Sequence, residues 1–585
     1  MKFFFGHQKS NVPNLSFKQP TQMPWEVRLS ILVISVFVVL SLMTLRLFQK
    51  QILEHRDYAA RAESQYLTKK DIIAPRGKIY AHRSKDDLED LYPLATNQTK
   101  YDVVAVPKNI KDKKLVSEKL SDILGIDKNE IFDKINNDKL YALLYRRTDE
   151  DRAQEIDKLK IEGIYLPPFS MRYYPEGTLA SHILGFVNYE DQGNYGVEGY
   201  YNQELEGSGG TVEAEKDTFG RLVNIQSQKE AISGSDLILT LDENVQYFVE
   251  QSLQKAVEQY QADSGSVIIM DPKTGRILAM AGFPNFDPNK FNEVSADNQG
   301  VFLNPLTSVP WEPGSIFKPV VMSVAINENK VQPDTTGTFG SSVEVQGYKI
   351  NTAQGKAFGT ETMIQVLENS DNVAMVWVAE KLGIDLTYQY LEKYGFGVKT
   401  GIDIDAESSG SLRARKDWRE INLATAAFGQ GISTTPIQML TAISAIANQG
   451  KLMRPYVVEA MVSSDGKKKE AQPQEVREII SPDTAKKITE MMVSVVQKGH
   501  GKKAQIEGLK VAGKTGTAQV PNPSGGYYED RHIGSFAGFF PADNPSISML
   551  VKLDQPKNVE WAEASAAPTF GEIGTWLANY YQIKP

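Results

Sequence analysis

The sequence predicts a multidomain α+β protein with a single N-terminal transmembrane helix, a mixed region, and a final domain whose antiparallel sheet is flanked by helices. Three observations predict this. One uncharged apolar run lies near the N-terminus, strand-like and charged helical stretches mix up to about residue 235, and hairpin patterns enclose a mainly helical stretch beyond it. The predicted boundaries are 1–24 for a cytoplasmic tail, 25–48 for the transmembrane helix, 49–235 for the mixed region and 236–585 for the final domain.

The composition excludes several classes of function. The chain has 585 residues, a formal net charge of −9 and no cysteine. An acidic balance argues against nucleic acid as the main ligand, because phosphate binding needs a basic surface. Without cysteine there are no disulfides, no thiol catalysis and no cysteine-ligated metal. The 6 histidines are scattered and form no H-E-x-x-H motif, so we expect neither a metal site nor a cofactor.

The apolar run Leu29–Leu45 has no charged residue and is bounded by Arg28 and Arg46. As a helix it covers about 26 Å at 1.5 Å per residue, close to the hydrocarbon thickness of a bilayer. The nearest small-residue cleavage pattern, Ala60-x-Ala62, lies too far downstream for a signal peptide. We therefore expect an uncleaved anchor. Positive charge flanks both ends, so the charges alone do not choose an orientation.

The region after the anchor mixes element types. A helix is expected to continue from Phe48 to about Gln65, followed by a strand at 101–107 and charged helices at 111–124 and 149–160. The glycine-rich stretches at 207–223 and 231–236 predict turns before a new unit.

Hairpin patterns open and close the final domain. Two apolar runs surround a D-P-x-x-G turn in 265–282, and a second such pattern spans 534–554. Helical patterns dominate between them, and a helix at 571–582 ends the chain. Strands at both ends of one domain predict a single antiparallel sheet that both ends supply.

Three S-x-x-K pairs occur, against about two expected by chance. Ser252 falls inside the helical pattern 244–261 and Ser464 in the polar stretch SSDGKKK, so both are expected at the surface. Ser315 follows Pro313-Gly314 and begins an apolar helical run, with Lys318 on the same helix face. A desolvated lysine can serve as a base for such a serine, whereas the alternative reading is a helix N-cap with a solvated lysine.

Two further polar segments bear on that choice. ENSDN, which contains Ser370 and Asn372, lies between two helical runs and can face a cleft, although Ser-Asp-Asn is also ordinary helix-cap chemistry. Of three K-T-G copies, only Lys514-Thr515-Gly516 lies in a strand-like stretch, and it continues into Thr517.

The stretch 508–515, GLKVAGKT, also matches the phosphate-loop pattern G-x-x-x-x-G-K-[ST]. A nucleotide site needs a loop there and a helix after the lysine. Here LKVA alternates like a strand, and GTAQVPNPSGG does not favour a helix. A strand is therefore the preferred interpretation.

The order Ser-x-x-Lys, Ser-x-Asn, Lys-Thr-Gly is that of penicillin-binding proteins and class A β-lactamases. The chain resembles class B penicillin-binding proteins, of the division type, over most of residues 70 to 555. The resemblance is carried by the three motifs WEPGSIFKP, ENSDN and GKTGTAQV and by the segments RYYPEGTLASHILGFV, GNYGVEGYYNQELEG, GFPNFDPNKF, TAAFGQGISTTPIQM and SFAGFFPADNP. RGKIYAHRS departs from the family pattern R-G-x-I-x-D-R at Ala81 and His82, so local structure there is not carried over.

The resemblance implies an elongated, dimerisation-like pedestal in 49–235 and a serine transpeptidase domain of β-lactamase-like fold in 236–585. It implies a peptidoglycan D,D-transpeptidase in which Ser315 attacks the D-Ala–D-Ala carbonyl and Lys318 accepts its proton. Ser370 would relay a proton to the leaving amine, and Asn372 would hold the substrate amide.

The same resemblance assigns substrate binding to the strand segment that contains Lys514, Thr515, Gly516 and Thr517. Lys514 would attract the terminal carboxylate of the peptide, and the two threonines would hydrogen-bond it. The backbone N–H groups of Ser315 and Thr517 would form the oxyanion hole, worth about 3 kcal/mol per donor.

The implied partners are peptidoglycan stem peptides on lipid II-derived glycan, β-lactam antibiotics, the membrane, a SEDS-family glycan polymerase and divisome proteins. The expected location is the cell membrane, with one span and an extracytoplasmic catalytic domain. A septal role is preferred over an elongation role.

Other classes share parts of the pattern. An anchored class A β-lactamase would need an E-x-x-x-N glutamate, and Glu420-Ile421-Asn422 has the wrong spacing. A β-lactam sensor would need a signalling module, for which residues 1–28 are short. A bifunctional polymerase would need a glycosyltransferase module before the pedestal, and no signature of one is present. A scaffold without catalysis is left open by the motifs.

Overall fold

The computed structural model describes residues 24–59, 67–84, 87, 89–216 and 222–584. The chain divides into two compact units. The first takes in the N-terminal residues up to Ile72 together with Gly210–Glu230, and the second consists of Ile73–Gly209 and Ala231–Pro585.

The first unit contains the apolar helix and a small sheet. An α-helix spans Trp25–Phe48 and continues as a π-helical segment, Gln49–Leu53, with a further helical stretch at 55–59. The rest of the helix expected up to Gln65 lies outside the described residues. An antiparallel three-stranded sheet has Gly210–Lys216 between Leu67–Ile72 and Leu222–Lys229.

The helix Trp25–Phe48 is suited to a membrane by length and side-chain chemistry. It is long and apolar enough to cross one, and none of its residues is buried. The hydroxyl of Ser30 donates to Glu26 O at 2.8 Å, and that of Ser35 donates to Ile31 O at 2.7 Å. These bonds satisfy polar groups that lipid could not.

An eight-stranded sheet in the second unit combines strands from distant parts of the chain. Its order is Lys468–Glu470, Val458–Val462, Asp236–Asp242, Ile79–His82, Leu91–Ala105 and Ala142–Thr148, with Ile164–Tyr165 and Pro168–Tyr173 also paired to Leu91–Ala105. Asp236–Asp242 runs parallel to Ile79–His82 and antiparallel to Val458–Val462. The sheet thus joins the segments predicted as pedestal and final domain, whose boundary at 235/236 stays a prediction.

The departure from the family pattern at Ala81-His82 lies in this sheet. His82 Nε2 is 3.1 Å from Glu459 Oε2, and Arg276 donates to the same oxygen at 2.6 Å. The histidine therefore takes part in a contact between neighbouring segments of the fold.

Three helices within residues 113–158 share a hydrophobic core with strands of this sheet, and the core includes Val103, Leu120, Ile131 and Ile156. The helices are Lys113–Leu124, Lys128–Ile135 and Glu150–Lys158. The strand and helices predicted at 101–107, 111–124 and 149–160 are confirmed, and the strand is longer than expected.

Short elements follow up to residue 206. They are the helices Ser181–Leu184, Gly196–Tyr200 and Asn202–Glu206 and the strand pair Phe186–Val187 with Gly193–Asn194. Glu198 lies fully buried among them and accepts hydrogen bonds from Arg76 Nε at 2.8 Å and Arg172 Nε at 2.6 Å. Although burial raises the pKa of Glu198, Arg172 and Arg76 outweigh it and hold that pKa below its usual value.

A five-stranded antiparallel sheet organises the rest of the second unit. Its order is Ile277–Phe283, Ser264–Met270, Ile547–Asp554, Tyr527–Phe540 and Ala512–Pro521. The predicted hairpins and the sheet supplied from both ends of the domain are confirmed. Ala512–Pro521 contains the K-T-G segment and forms one edge of the sheet, so the strand interpretation of GLKVAGKT also holds for its C-terminal part.

Helices cover both faces of this sheet. Val267 belongs to the core that includes residues of helices Glu243–Tyr260 and Ala566–Tyr580. Its neighbour Ile268 belongs to the core that includes residues of Pro436–Ala447. Successive residues of a strand point to opposite faces, so the strands are buried on both sides.

The remaining elements complete the helical layer that contains the candidate site. The helices are Lys318–Asn327, Met363–Glu368, Asn372–Leu382, Ile384–Lys393, Glu420–Ala426 and Pro482–Gln497, and the strand pairs are Thr336–Phe339 with Gly359–Thr362, Ser342–Val345 with Tyr348–Asn351, and Lys451–Met453 with Glu475–Glu478.

The other two S-x-x-K serines are not alike. Ser464 is exposed, as expected, whereas Ser252 is buried. The expectation of a surface position was wrong for Ser252, because the helix Glu243–Tyr260 packs that side into the core and exposes Lys255, which pairs with Glu572.

Candidate active site

Ser315 lies in a 3₁₀ turn, Gly314–Phe317, that leads into the helix Lys318–Asn327. Gly314 has φ +58° and donates its N–H to Gly429 O at 3.0 Å. A Cβ on Gly429 would lie 2.2 Å from Gly314 O, so this approach requires glycine. The close contact holds the serine turn in place.

Lys318 is completely buried at the start of the helix. Its Nζ donates to Ser370 O at 2.5 Å, to Ser370 Oγ at 3.1 Å and to Asn372 Oδ1 at 2.7 Å. The motif lysine is therefore fixed by the polar loop between the next two helices.

That loop turns sharply at Ser370, which has φ +56°. Asp371 then caps the helix Asn372–Leu382 by accepting from Val373 N at 2.7 Å and Ala374 N at 3.1 Å. The left-handed conformation lets both oxygens of Ser370 accept from Lys318, and the cap fixes where the helix begins.

Both ends of the Asn372 amide are engaged. Oδ1 accepts from Lys318, and Nδ2 donates to Asn351 O at 3.0 Å. This arrangement fixes the plane of the amide.

Lys514 lies in the edge strand Ala512–Pro521 and is also completely buried. Its Nζ donates to Ser370 Oγ and to Thr515 O, both at 3.0 Å. The three motifs therefore meet at Ser370 Oγ, which receives both lysine amines.

Gly516 lets this strand pack against the serine turn. A Cβ there would lie 3.0 Å from Pro313 O and 2.7 Å from Ser535 Oγ. Thr517 Oγ1 accepts from Ala562 N at 3.1 Å, so its own hydroxyl hydrogen stays available to a ligand.

A cavity of about 270 Å³ opens above these groups, near the lower end of the range for small-molecule sites. It is lined by Ser315, Ala353, Lys356, Phe358, Asn369, Ser370, Asn372, His500, Thr515, Thr517, Trp561 and Glu563. Five of the residues predicted from the motifs are in its wall. Lys318 and Lys514 lie beneath it, and Gly516 faces Pro313 and Ser535 instead of the cavity.

Burial lowers the pKa of both lysines. Burial, followed by the neighbouring charge of Lys514, holds the pKa of Lys318 well below its usual value, against the opposing effect of Asp371 and Glu361. Burial lowers the pKa of Lys514 to about 7, and Glu563 opposes that shift. The amines of Lys318 and Lys514 both contact Ser370 Oγ, and two positive charges so close together repel each other. One amine is therefore neutral near neutral pH and can act as a base.

A buried carboxyl pair lies behind the polar loop. Glu361 accepts from Asn369 Nδ2 at 2.6 Å, and Asp371 is the helix cap described above. Burial raises the pKa of Glu361 to about 7, which the Asn369 bond opposes and Asp371 reinforces. The pair partly compensates for the positive charge of the lysines.

Sequence reasoning missed the other wall residues. His500, Trp561 and Glu563 come from loops after residue 497 and around the 3₁₀ turn Ala562–Ala564. None belongs to a motif, and only tertiary packing brings them to the cavity.

A wider groove of about 1000 Å³ adjoins the cavity. The two share Ala353, Asn372, Thr517 and Trp561, and the groove also has Tyr527 in its wall. It offers space for more of a peptide than the cavity alone can hold.

Two family models match the chain. The penicillin binding protein transpeptidase domain matches residues 265–574, and the penicillin-binding protein dimerisation domain matches residues 71–239.

Related proteins match over most of the chain. Stage V sporulation protein D of Bacillus subtilis is 34% identical over 84% of this chain and 77% of its own length. Peptidoglycan D,D-transpeptidase FtsI of Escherichia coli is 30% identical over 84% of this chain and 82% of its own length.

Solved structures agree with these matches. Penicillin binding protein 3 from Mycobacterium tuberculosis, complexed with aztreonam, has a TM-score of 0.68 at 27% identity and covers 88% of this chain and 98% of its own. Penicillin binding protein 2X from Streptococcus thermophilus has a TM-score of 0.75 at 26% identity, and the match covers 88% of this chain and 80% of its own. The family inferred from the three motifs is confirmed, and the chain belongs to the class B penicillin-binding proteins.

Proposed function

We propose that this protein is a membrane-anchored peptidoglycan D,D-transpeptidase that crosslinks stem peptides through an acyl-enzyme on Ser315 during septal wall synthesis. The observation that carries the proposal is the single cavity in which Ser315 meets Ser370 and Thr515 above two buried lysine amines. Family membership and a relative named peptidoglycan D,D-transpeptidase support the reaction class.

Acylation begins at Ser315. Its Oγ attacks the carbonyl carbon of the penultimate D-Ala, and the proton passes to the neutral amine of Lys318. Ser370 Oγ, 3.1 Å from that amine, relays the proton to the departing amine of the terminal D-Ala. The C–N bond breaks, and the acyl group stays on Ser315.

The edge strand holds the donor peptide. Ala512–Pro521 ends the five-stranded sheet, so an extended peptide can pair with its free edge. Thr515 and Thr517 direct hydroxyl groups to the terminal carboxylate, and the Lys514 charge attracts it. The N–H groups of Ser315 and Thr517 stabilise the oxyanion of the tetrahedral intermediate.

Transfer reverses these steps with a new amine. An amine of a neighbouring stem attacks the ester carbon, its proton returns through Ser370 to Lys318, and Lys318 reprotonates Ser315 Oγ. A C–N bond replaces the C–O bond, and the enzyme is restored. β-Lactams acylate the same oxygen, and their opened ring stays attached.

The anchor helix sets the location. We infer that residues 1–24 face the cytoplasm and that the catalytic domain faces outward, where the glycan substrate is assembled into wall. The boundaries at 25–48, 49–235 and 236–585 are proposed with it.

The matched modules are a dimerisation domain and a transpeptidase domain. We therefore propose that a separate membrane enzyme of the SEDS family supplies the glycan strands. Divisome proteins would recruit both this protein and that enzyme. Localisation of a fluorescent fusion to mid-cell supports the septal role, whereas side-wall localisation favours elongation.

The reaction is tested with fluorescent penicillin and intact-protein mass spectrometry. Wild type and Ser464→Ala should label equally, because Ser464 is the exposed serine of another S-x-x-K pair. Ser315→Ala should not label. Labelling of Ser315→Ala contradicts the nucleophile, and release of hydrolysed drug within seconds favours a β-lactamase instead.

A further inference from the structure

A carboxylate–imidazole pair lies in the wall of the catalytic cavity and has no part in the mechanism above. His500 Nδ1 is 2.7 Å from Glu563 Oε2, and the two side chains are 49% and 46% exposed. Both line the cavity that contains Ser315. The pair therefore faces the space in which the substrate reacts.

Both members stand on tightly held backbone. His500 lies between Gly499 and Gly501, where a Cβ would come within 2.6 Å of Glu368 O and 3.0 Å of Val496 Cα respectively. Glu563 lies in the 3₁₀ turn Ala562–Ala564, whose first N–H donates to Thr517 Oγ1. The turn that contains Glu563 is thus bonded to the edge strand Ala512–Pro521, and close packing at both flanking glycines holds the backbone at His500.

Glu563 differs in charge from the other ionisable groups around the cavity. Among the described residues that line the cavity, Glu563 is the one carboxylate, and Lys356 is a lysine in the same wall. Lys356 and the buried Lys514 attract the carboxylate of the donor, whereas Lys318 serves as the neutral base. Lys356 and Lys514 repel the second substrate, because a primary amine is an ammonium ion near neutral pH.

The second substrate must enter beside this pair. By microscopic reversibility, the acceptor amine attacks along the path by which the D-Ala amine left, on the side of Thr515 and Thr517. His500 and Glu563 line the same small cavity as these threonines.

We propose that Glu563 attracts the ammonium group of the acceptor and that His500 Nε2 takes one proton from it, which makes the amine nucleophilic. This rests on the transpeptidase function proposed above. Glu563 accepts the Nδ1–H bond and so leaves Nε2 as the proton acceptor.

The step balances with the cycle already described. R–NH₃⁺ gives one proton to His500 and becomes R–NH₂, which forms the C–N bond as the C–Oγ bond to Ser315 breaks. Its second proton travels through Ser370 and Lys318 to Ser315 Oγ, and His500 releases the first proton to solvent.

The test separates the two half-reactions in the full-length protein. The acyl donor is a thioester analogue of the D-Ala–D-Ala end of the stem peptide. The acyl acceptor is D-alanine, whose amine is charged at pH 7. Mass spectrometry measures the ratio of aminolysis to hydrolysis. Glu563→Gln removes the charge, and His500→Asn keeps a donor near the Nδ1 position without the base.

Both variants should lose at least about tenfold in the ratio of aminolysis to hydrolysis, while acylation of His500→Asn by penicillin stays within about twofold of wild type. Hydroxylamine, which is neutral at pH 7, should restore their aminolysis to the wild-type ratio. Glu572→Gln, in an exposed ion pair with Lys255 outside the cavity, should behave as wild type.

Two results would overturn the proposal: an unchanged ratio with D-alanine, as for an ordinary surface ion pair, or an equal loss with D-alanine and hydroxylamine. Failure of the wild-type protein to form an acyl-enzyme would instead contradict the proposed function itself.

Discussion

Ser370 Oγ lies 3.0 Å from Lys514 Nζ, across 144 positions of sequence. The contact joins the loop between two helices to the edge strand of the five-stranded sheet. Lys318 Nζ approaches the same oxygen at 3.1 Å, so a single hydroxyl connects all three motifs. In the proposed mechanism, proton movement between the serine turn, the loop and the strand would therefore pass through this one hydroxyl.

Replacing Ser370 should separate activity from stability. Ser370→Ala and Ser370→Gly both remove the hydroxyl, so acylation by fluorescent penicillin should fall on the order of 100-fold in each. The glycine variant should be about 1 kcal/mol more stable than the alanine variant, because residue 370 has φ +56°. Urea unfolding in detergent measures the difference, and equal stabilities would contradict it.

Burial of Lys514 should make stability rise with pH. Its pKa is about 7 in the native protein and 10.5 in the unfolded chain. Between these values the unfolded chain holds a proton that the native protein lacks, so the free energy of unfolding increases with pH.

Substitution of Lys514 provides the control for this pH dependence of the free energy of unfolding. From pH 7 to 9, wild type should gain about 2 kcal/mol relative to Lys514→Met, by urea unfolding. Lys510→Met should keep the wild-type slope, because Lys510 is exposed and pairs with Asp543. An identical slope for wild type and Lys514→Met would show that Lys514 stays protonated.

Gly516→Ala should disturb catalysis through packing. The new methyl group would meet Pro313 O and Ser535 Oγ, which pushes the strand away from the serine turn. We expect a loss of about 1–3 kcal/mol in stability and a slower acylation. Gly300→Ala is the matched control, since nothing lies within 4 Å of its Cβ position. Normal acylation of Gly516→Ala would mean that the strand tolerates the shift.

Glu198→Gln should strongly destabilise the region before the catalytic domain. It removes the negative charge between two buried arginines, which costs about 3–5 kcal/mol. Glu190→Gln, at an exposed position, should change stability little. Thermal unfolding compares the two, and a loss below about 1 kcal/mol for Glu198→Gln would show that solvent or rearrangement compensates the arginines.

Local pattern predicted the elements that carry the motifs. Alternation predicted the strand around Lys514, and the hairpin turns predicted the sheet that both ends of the domain supply. The apolar run after Ser315 predicted its helix. These features depend on neighbouring residues, which the sequence displays directly.

Tertiary packing determined the rest. Ser252 is buried although its local sequence is polar, because its helix face packs on the sheet. His500 and Glu563 are 63 positions apart and form a pair only because two loops converge. No local sequence pattern indicates that two distant loops converge, so the part of the cavity wall formed by His500 and Glu563 could not be predicted.

The parallel pairing of Ile79–His82 with Asp236–Asp242 has a consequence for biogenesis. A chain synthesised from its N-terminus completes the strand Ile79–His82 long before Val458–Val462 is available to pair with the other edge of Asp236–Asp242. Until then Asp236–Asp242 has one unpaired strand edge, which can pair with another chain and so favours aggregation during synthesis.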